Sequence, residues 1–296
     1  MLSGVILGSS GTCPTKERNC SSVYLNLGKQ SALLDCGEGT QRQLLEFNLS
    51  LMVDWVFISH FHLDHYIGIL GLLGTMNLLD RTTPLDIYSP DSAKLSTLIN
   101  LTLKNLKFGV NLLNIIEDVQ YLRADCKLLF LKTDHLIKSY AILVKSLKNV
   151  KYRKELGLLP PDQLKNLVAG NFELLPFDPE HYIESKKSFY EVLYTGDTRV
   201  IPDLFTQIND GLIIHECSFF RSEETNIASS KYHTHINDFK KINLVNNHLL
   251  LTHLPTKDCW KHMVTQINRV NPKIKLAKDG LSFTLLRGDL KWLSTS

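Results

Sequence analysis

The sequence predicts an α/β fold in which two facing β-sheets are covered by helices. Short apolar runs of strand length alternate with stretches of helical period. The strand-like runs cluster at both ends of the chain and mix with helices between, which suits a two-sheet core with helices outside. One of these runs, Trp55–Ser59, leads straight into a segment crowded with histidine.

Taken in order, Leu2–Leu7, Ser22–Leu27 and Ser31–Leu34 read as strands, and a helix follows at about Thr40–Phe47. After the Trp55–Ser59 strand, helices are expected near Tyr66–Leu79 and Asp91–Lys104. Strands recur at Lys127–Lys132, Ser139–Lys145, Glu191–Thr195, Leu212–His215 and Leu249–Thr252. A helix near Thr256–Arg269 precedes strands at Lys273–Leu276 and Leu281–Leu286. There is no internal repeat and no low-complexity tract, so residues 1–296 read as one domain.

The segment Lys148–Ser188 breaks the rhythm. It holds Pro160, Pro161, Pro176 and Pro179 with weak periodicity, and reads as a short arm-like insertion outside the core. Lys138, Lys145, Lys148, Lys151, Arg153, Lys154 and Lys165 lie just before and within it, against Glu155 and Asp162 as the only acids from Lys138 to Lys165. Such a stretch is either a solvated hairpin or a contact for a phosphate backbone.

Composition narrows the class. The 296 residues are 44% hydrophobic and 21% charged, which allows a substantial core and argues against disorder. A net charge of +3 permits a nucleic-acid partner without arguing for one. The six cysteines include no Cys-x-x-Cys pair and read as reduced thiols. With no secretory signal before the first strand, a cytoplasmic or organellar (plastid or mitochondrial matrix) protein is expected, not a secreted one. The apolar run Tyr66–Leu79 is too short to span a bilayer, so no membrane partner is expected.

The chemistry concentrates in His60-Phe61-His62-Leu63-Asp64-His65. Imidazole and carboxylate suit zinc, and catalytic sites leave a position open for water. His60 and His62 leave a strand on a loop where both rings can turn to one metal, while Asp64 and His65 enter a helix and can face a second. One cluster cannot close two sites. His135, Asp197 and His253 are ligand types placed after strands, where strand ends converge on one sheet edge.

At this point the chain resembles the ribonuclease Z family of the metallo-β-lactamase superfamily. Asp35-Cys36-Gly37-Glu38-Gly39-Thr40-Gln41 resembles the family's first motif, and Pro14 to Asn19 its P-x-K-x-R-N loop. Gly196-Asp197-Thr198-Arg199 matches G-D-T-R, and His215-Glu216-Cys217-Ser218 is similar to H-E-A-T. His233-Thr234-His235 looks like the H-S-T segment, and Ala277-Lys278-Asp279-Gly280 like A-x-D-x.

The resemblance implies the metallo-β-lactamase αββα sandwich and two zinc ions, manganese suiting the same ligands. It assigns His60, His62 and His135 to one ion, Asp64, His65 and His253 to the other, and Asp197 to both. Asp35 would orient a ligand histidine. The implied reaction is two-metal hydrolysis of a phosphodiester, removing the 3′ trailer of precursor tRNA to leave a tRNA 3′-hydroxyl and a trailer 5′-phosphate. Asp64 would take a proton from the attacking water, and Glu216 with His235 would supply one to the leaving oxygen. Lys16, Arg18, Asn19, Thr198 and Arg199 would contact substrate. Short family members act as homodimers, so a homodimer is implied too. The arm lacks the family's Gly-Pro-rich tip. A rival reading keeps the fold and metals and changes the substrate to a small phosphodiester such as a cyclic nucleotide.

Overall fold

The computed structural model describes residues 2–123, 126–152, 154–169, 175–177, 179–244, 246–286 and 289–293. β1 (Leu2–Gly8), β2 (Ser22–Asn26) and β3 (Ser31–Leu34) form an antiparallel meander. α1 (Thr40–Glu46) carries the chain to β4 (Trp55–Phe57), which joins β3 in parallel. α2 (Leu63–Tyr66), α3 (Gly68–Leu78), β5 (Leu85–Ser89), α4 (Ser92–Thr102) and β6 (Val110–Asn114) extend that parallel run. Asp91 starts α4 by accepting the Lys94 N–H at 3.0 Å.

The second sheet is built from β7 (Gln120–Leu122), β8 (Cys126–Lys132), β9 (Tyr140–Tyr152) and, after α5 (Pro161–Ala169), β10 (Ile183–Tyr194). α6 (Pro202–Thr206), β11 (Leu212–Glu216), α7 (Thr225–Ser230), β12 (His248–Thr252), α8 (Trp260–Val270) and β13 (Lys275–Leu276) follow, and β10 to β13 run parallel. β14 (Ser282–Leu286) and β15 (Asp289–Leu293) return to the first sheet beside β1. The strand orders are β15-β14-β1-β2-β3-β4-β5-β6 and β13-β12-β11-β10-β9-β8-β7.

Side chains alternate across a strand, so a strand covered on both faces must be apolar at every position. Trp55 and Phe57 of β4 enter the layer between the sheets, whereas Val56 and Ile58 pack with Leu72, Leu73 and Met76 of α3. Ile142 and Val144 of β9 enter the same inner layer. Ala141 and Leu143 face outward, with Met263 and Ile267 of α8 in the same apolar cluster. Three apolar layers therefore separate helix, sheet, sheet and helix. Phe57 stacks on Phe130 of the opposite sheet at 5.7 Å between ring centres. This is the expected αββα sandwich.

The structure departs from the sequence reading in the long strands. β9 and β10 run well past Lys145 and begin well before Glu191, pairing Lys148 with Lys187 and Tyr152 with Ile183. The two ends of the expected arm Lys148–Ser188, residues 148–152 and 183–188, thus form a two-stranded ribbon continuing the second sheet, and α5 lies between them in the chain. Main-chain pairing needs no apolar pattern, so the ribbon left no trace in the periodicity. Arg153 lies outside the described residues. The helix expected at Tyr66–Leu79 is α3, Gly68–Leu78, preceded by the separate short α2, and α8 starts at Trp260, not Thr256. No helix among the described residues is long and apolar enough to cross a membrane.

Candidate metal centre

The ends of β4, β10, β11 and β12 meet above the inner layer. β4 delivers Ser59, His60 and His62. The turn after β10 delivers Asp197, β11 ends on Glu216, and β12 delivers His253. Gly196 makes the turn before Asp197 possible. Its φ is +58°, and a Cβ there would lie 2.6 Å from that of Ser59. Asp35 and His253 also hold left-handed backbone, at φ 57° and 52°. Such conformations are costly for non-glycine residues and persist where the surroundings impose them.

Two donor sets result. His60 Nε2 and His135 Nε2 lie 3.0 and 3.2 Å from His62 Nδ1. Nitrogens on one tetrahedral zinc stand roughly 3.3 Å apart, so this is the spacing of ligands. His65 Nε2 and His253 Nε2 lie 3.5 and 3.2 Å from Asp64 Oδ2. Asp197 Oδ2 belongs to both sets, 3.7 Å from His60, 3.4 Å from His65 and 3.3 Å from His253. His60, Asp64, His65, Asp197 and His253 are all buried.

A cation fits this arrangement. His65 Nε2 and Asp197 Oδ1 are buried without a hydrogen-bond partner, a costly condition that a metal would relieve. Burial, with the neighbouring histidines, lowers the pKa of His60, His62 and His135, keeping them neutral as ligands must be. Burial also opposes charge on His65 and His253, but Asp197, with Asp35 or Asp64, outweighs it and raises both. Burial works against the ionised form of Asp64 and Asp197, yet the adjacent histidines hold both well below the usual carboxylate range. These His and Asp groups are suited to binding metal ions.

Four of the candidate ligands, His60, His65, His135 and His253, are held from behind. Asp35 is fully buried and accepts from His65 Nδ1 at 2.6 Å, Tyr194 Oη at 2.7 Å and Ser59 Oγ at 2.8 Å. Ser59 Oγ lies 2.9 Å from His60 Nδ1. His135 Nδ1 donates to the Tyr232 carbonyl at 3.1 Å. His253 Nδ1 lies 2.9 Å from Ser218 Oγ, which donates to Glu216 Oε2 at 2.8 Å. Ser59, Ser218 and Tyr194 were not singled out by the sequence reading, because single serines and tyrosines carry no spacing signal.

The imidazole paired with Glu216 is that of His233, not His235. His233 Nδ1 lies 2.7 Å from Glu216 Oε1, and its ring stands 5.1 Å from that of His135 and 5.6 Å from that of His253. His235 is turned away and buried. Its Nδ1 accepts the Asn237 N–H at 3.1 Å to cap the short 3₁₀ helix Ile236–Lys241, and its Nε2 donates to the Arg221 carbonyl at 2.9 Å. That capping role excludes it from the centre. His233 also lies within ligand distance of Asp197 and His253, and its Nδ1 bond to Glu216 sets the ring beside the two donor sets.

The expected substrate residues divide. Lys16 is exposed on a cleft of about 530 Å³ that Arg42 and Gln43 also line. Arg18 and Asn19 line the same cleft but are tied down by hydrogen bonds within the protein. Arg18 Nη2 donates to the Pro255 carbonyl at 3.0 Å, and the Asn19 N–H donates to Asp279 Oδ2 at 2.6 Å. Thr198 is fully buried, with its hydroxyl bonded to the Arg199 carbonyl at 2.8 Å, so its side chain is not open to a substrate. Arg199 pairs through Nε and Nη2 with Asp134, at 2.7 and 2.6 Å, and covers the Tyr232 ring, bracing the loop that carries His135.

Residues 5–268 match the family model described as Anti-Pycsar protein Apyc1. A ribonuclease Z from Archaeoglobus fulgidus is 32% identical over 271 residues, covering 85% of this chain and 86% of that protein. The metallo-β-lactamase fold protein YhfI from Bacillus subtilis superposes with a TM-score of 0.69 at 21% identity, over 96% of this chain and 100% of that one. Human tRNase Z, short form, superposes with a TM-score of 0.68, also at 21% identity, over 96% and 99%. The span of the first match and the identity of the second place the chain in the family that the Apyc1 model describes and in the ribonuclease Z family of metal-dependent nucleases, built on the metallo-β-lactamase fold.

Proposed function

We propose that the protein is an endoribonuclease that removes the 3′ trailer from precursor tRNA. The observation that carries this reading is the pair of donor sets sharing Asp197 Oδ2, with the Glu216–His233 pair standing beside them. The ribonuclease Z relatives give the substrate class.

In this reading His60, His62 and His135 would hold one zinc, Asp64, His65 and His253 would hold a second, and Asp197 would serve both; manganese suits the same donors. When bound, such ions offset negative charge on a phosphodiester and make water a nucleophile near neutral pH. Asp64 accepts a proton from the attacking water. Water oxygen bonds to phosphorus as the bond to the tRNA 3′ oxygen breaks, and His233 gives that oxygen its proton. Glu216 supports this role: burial opposes charge on His233, but Glu216, helped by Asp197, takes its pKa up to about 9. The products are a tRNA 3′-hydroxyl and a trailer 5′-phosphate.

Lys16 and Arg199 have surface left for the RNA backbone. The chain acts as one domain whose ribbon near 148–188 grips the tRNA body, in a homodimer where each arm serves the partner's substrate. The test is a side-by-side assay, with zinc or manganese, on trailer-carrying tRNA and on a cyclic nucleotide. Cleavage of the tRNA is expected; rapid turnover of the cyclic nucleotide alone would move the chain to small phosphodiesters.

A further inference from the structure

An imidazole nitrogen binds a cation only when it carries no proton. Four of the five candidate ligand histidines turn Nε2 to the centre, so each must carry its proton on Nδ1. For two of them the acceptor leaves no choice. His65 Nδ1 meets the Asp35 carboxylate at 2.6 Å, and His135 Nδ1 meets the Tyr232 carbonyl at 3.1 Å. For His60 and His253 the neighbour is a serine hydroxyl, each at 2.9 Å. A hydroxyl can donate as readily as accept. If it donated, the ring proton would move to Nε2 and point at the cation.

A carboxylate behind each serine decides the direction. Ser59 Oγ lies 2.8 Å from Asp35 Oδ2, and Ser218 Oγ lies 2.8 Å from Glu216 Oε2. A carboxylate only accepts, and a serine has one hydroxyl proton. Each serine therefore gives that proton away and keeps only lone pairs for the imidazole. We propose that Ser59 and Ser218 are positioning residues that lock His60 and His253 in the metal-binding tautomer, each acting as a one-way relay from a buried carboxylate. Asp35 then governs two ligands, His65 directly and His60 through Ser59. Glu216 serves both His233 and His253, so the proton-donating pair and the second donor set share one carboxylate.

The inference rests on the metal-centre reading but needs no RNA to test. Zinc-loaded protein is titrated with a chelator and zinc release is followed with an indicator, for the wild type, Ser59→Ala, Ser218→Ala and Ser218→Thr. Loss of groups that orient a metal-binding histidine typically weakens binding by about 10- to 100-fold. Each alanine variant is expected to release one zinc per chain that much more easily, and Ser218→Thr, which keeps the hydroxyl, to hold zinc as the wild type does. A merely structural serine would give loss without rescue by threonine. Should Ser59→Ala fail to fold, the half-buried Ser218 pair decides alone. Wild-type retention in both alanine variants would overturn the relay and leave the metal centre standing. A wild type that binds neither zinc nor manganese would remove the centre and the relay together.

Discussion

His233 Nδ1 stands 2.7 Å from Glu216 Oε1, while His235, two residues on, faces the Arg221 carbonyl at 2.9 Å. This separates the two histidines of one short segment into a group beside the metal centre and a helix cap. His233→Ala is expected to lower kcat by roughly 100- to 10,000-fold, the usual contribution of a positioned proton donor, with zinc content unchanged. His235→Ala is expected to lower the melting temperature and leave most of kcat. The reverse pattern would return the role to His235.

The pH profile follows from the same pair. The His233 pKa is pushed up to about 9, so its proton is present below that pH and lost as pH rises through it. A divalent cation nearby opposes the rise. The alkaline limb of kcat is therefore expected at or below pH 9, and Glu216→Gln is expected to move it lower. A profile that stays flat through pH 9 would show that His233 donates no proton in the slow step.

Metal stoichiometry tests the shared carboxylate. Asp197 Oδ2 reaches both donor sets, whereas His62 belongs to one. Elemental analysis after dialysis is expected to find His62→Ala depleted mainly in one metal and Asp197→Ala depleted in both. Equal loss in the two variants would argue against two separable sites.

The ribbon gives a fourth expectation. β9 and β10 come together at Tyr152 and Ile183, so a short turn joining them there removes the tip without cutting the core. That variant is expected to melt as the wild type does, hydrolyse a small chromogenic phosphodiester normally, and bind tRNA at least 10-fold more weakly, through lost phosphate contacts. Unchanged tRNA affinity would place the grip elsewhere.

How much of this was legible in the sequence depends on the kind of feature. β4 was readable because a strand buried on both faces must be apolar throughout, and Trp55 to Ile58 are. The candidate ligands were readable because three histidines and an aspartate crowd into His60 to His65 while His135, Asp197 and His253 together supply matching ligand types after strands, and the structure brings all seven together. The choice between His233 and His235 was not, since both flank Thr234 in irregular backbone and the capping of Ile236–Lys241 decides which ring faces inward. Ser59 and Ser218 were invisible because their importance lies in their contacts with Asp35 and Glu216, two carboxylates the sequence did mark but that only the fold sets behind these serines. β5 and β6 were missed because short strands with polar positions, such as Asp86 and Asn111, lack a clear period.

The most direct measurement is end-group analysis of the products formed from a tRNA carrying a 3′ trailer, with zinc or manganese present. The expected result is one cut after the discriminator nucleotide, giving a tRNA ending in a 3′-hydroxyl and a trailer beginning with a 5′-phosphate, lost in His65→Ala. An intact precursor, or a cut leaving a 3′-phosphate on the tRNA, would contradict it.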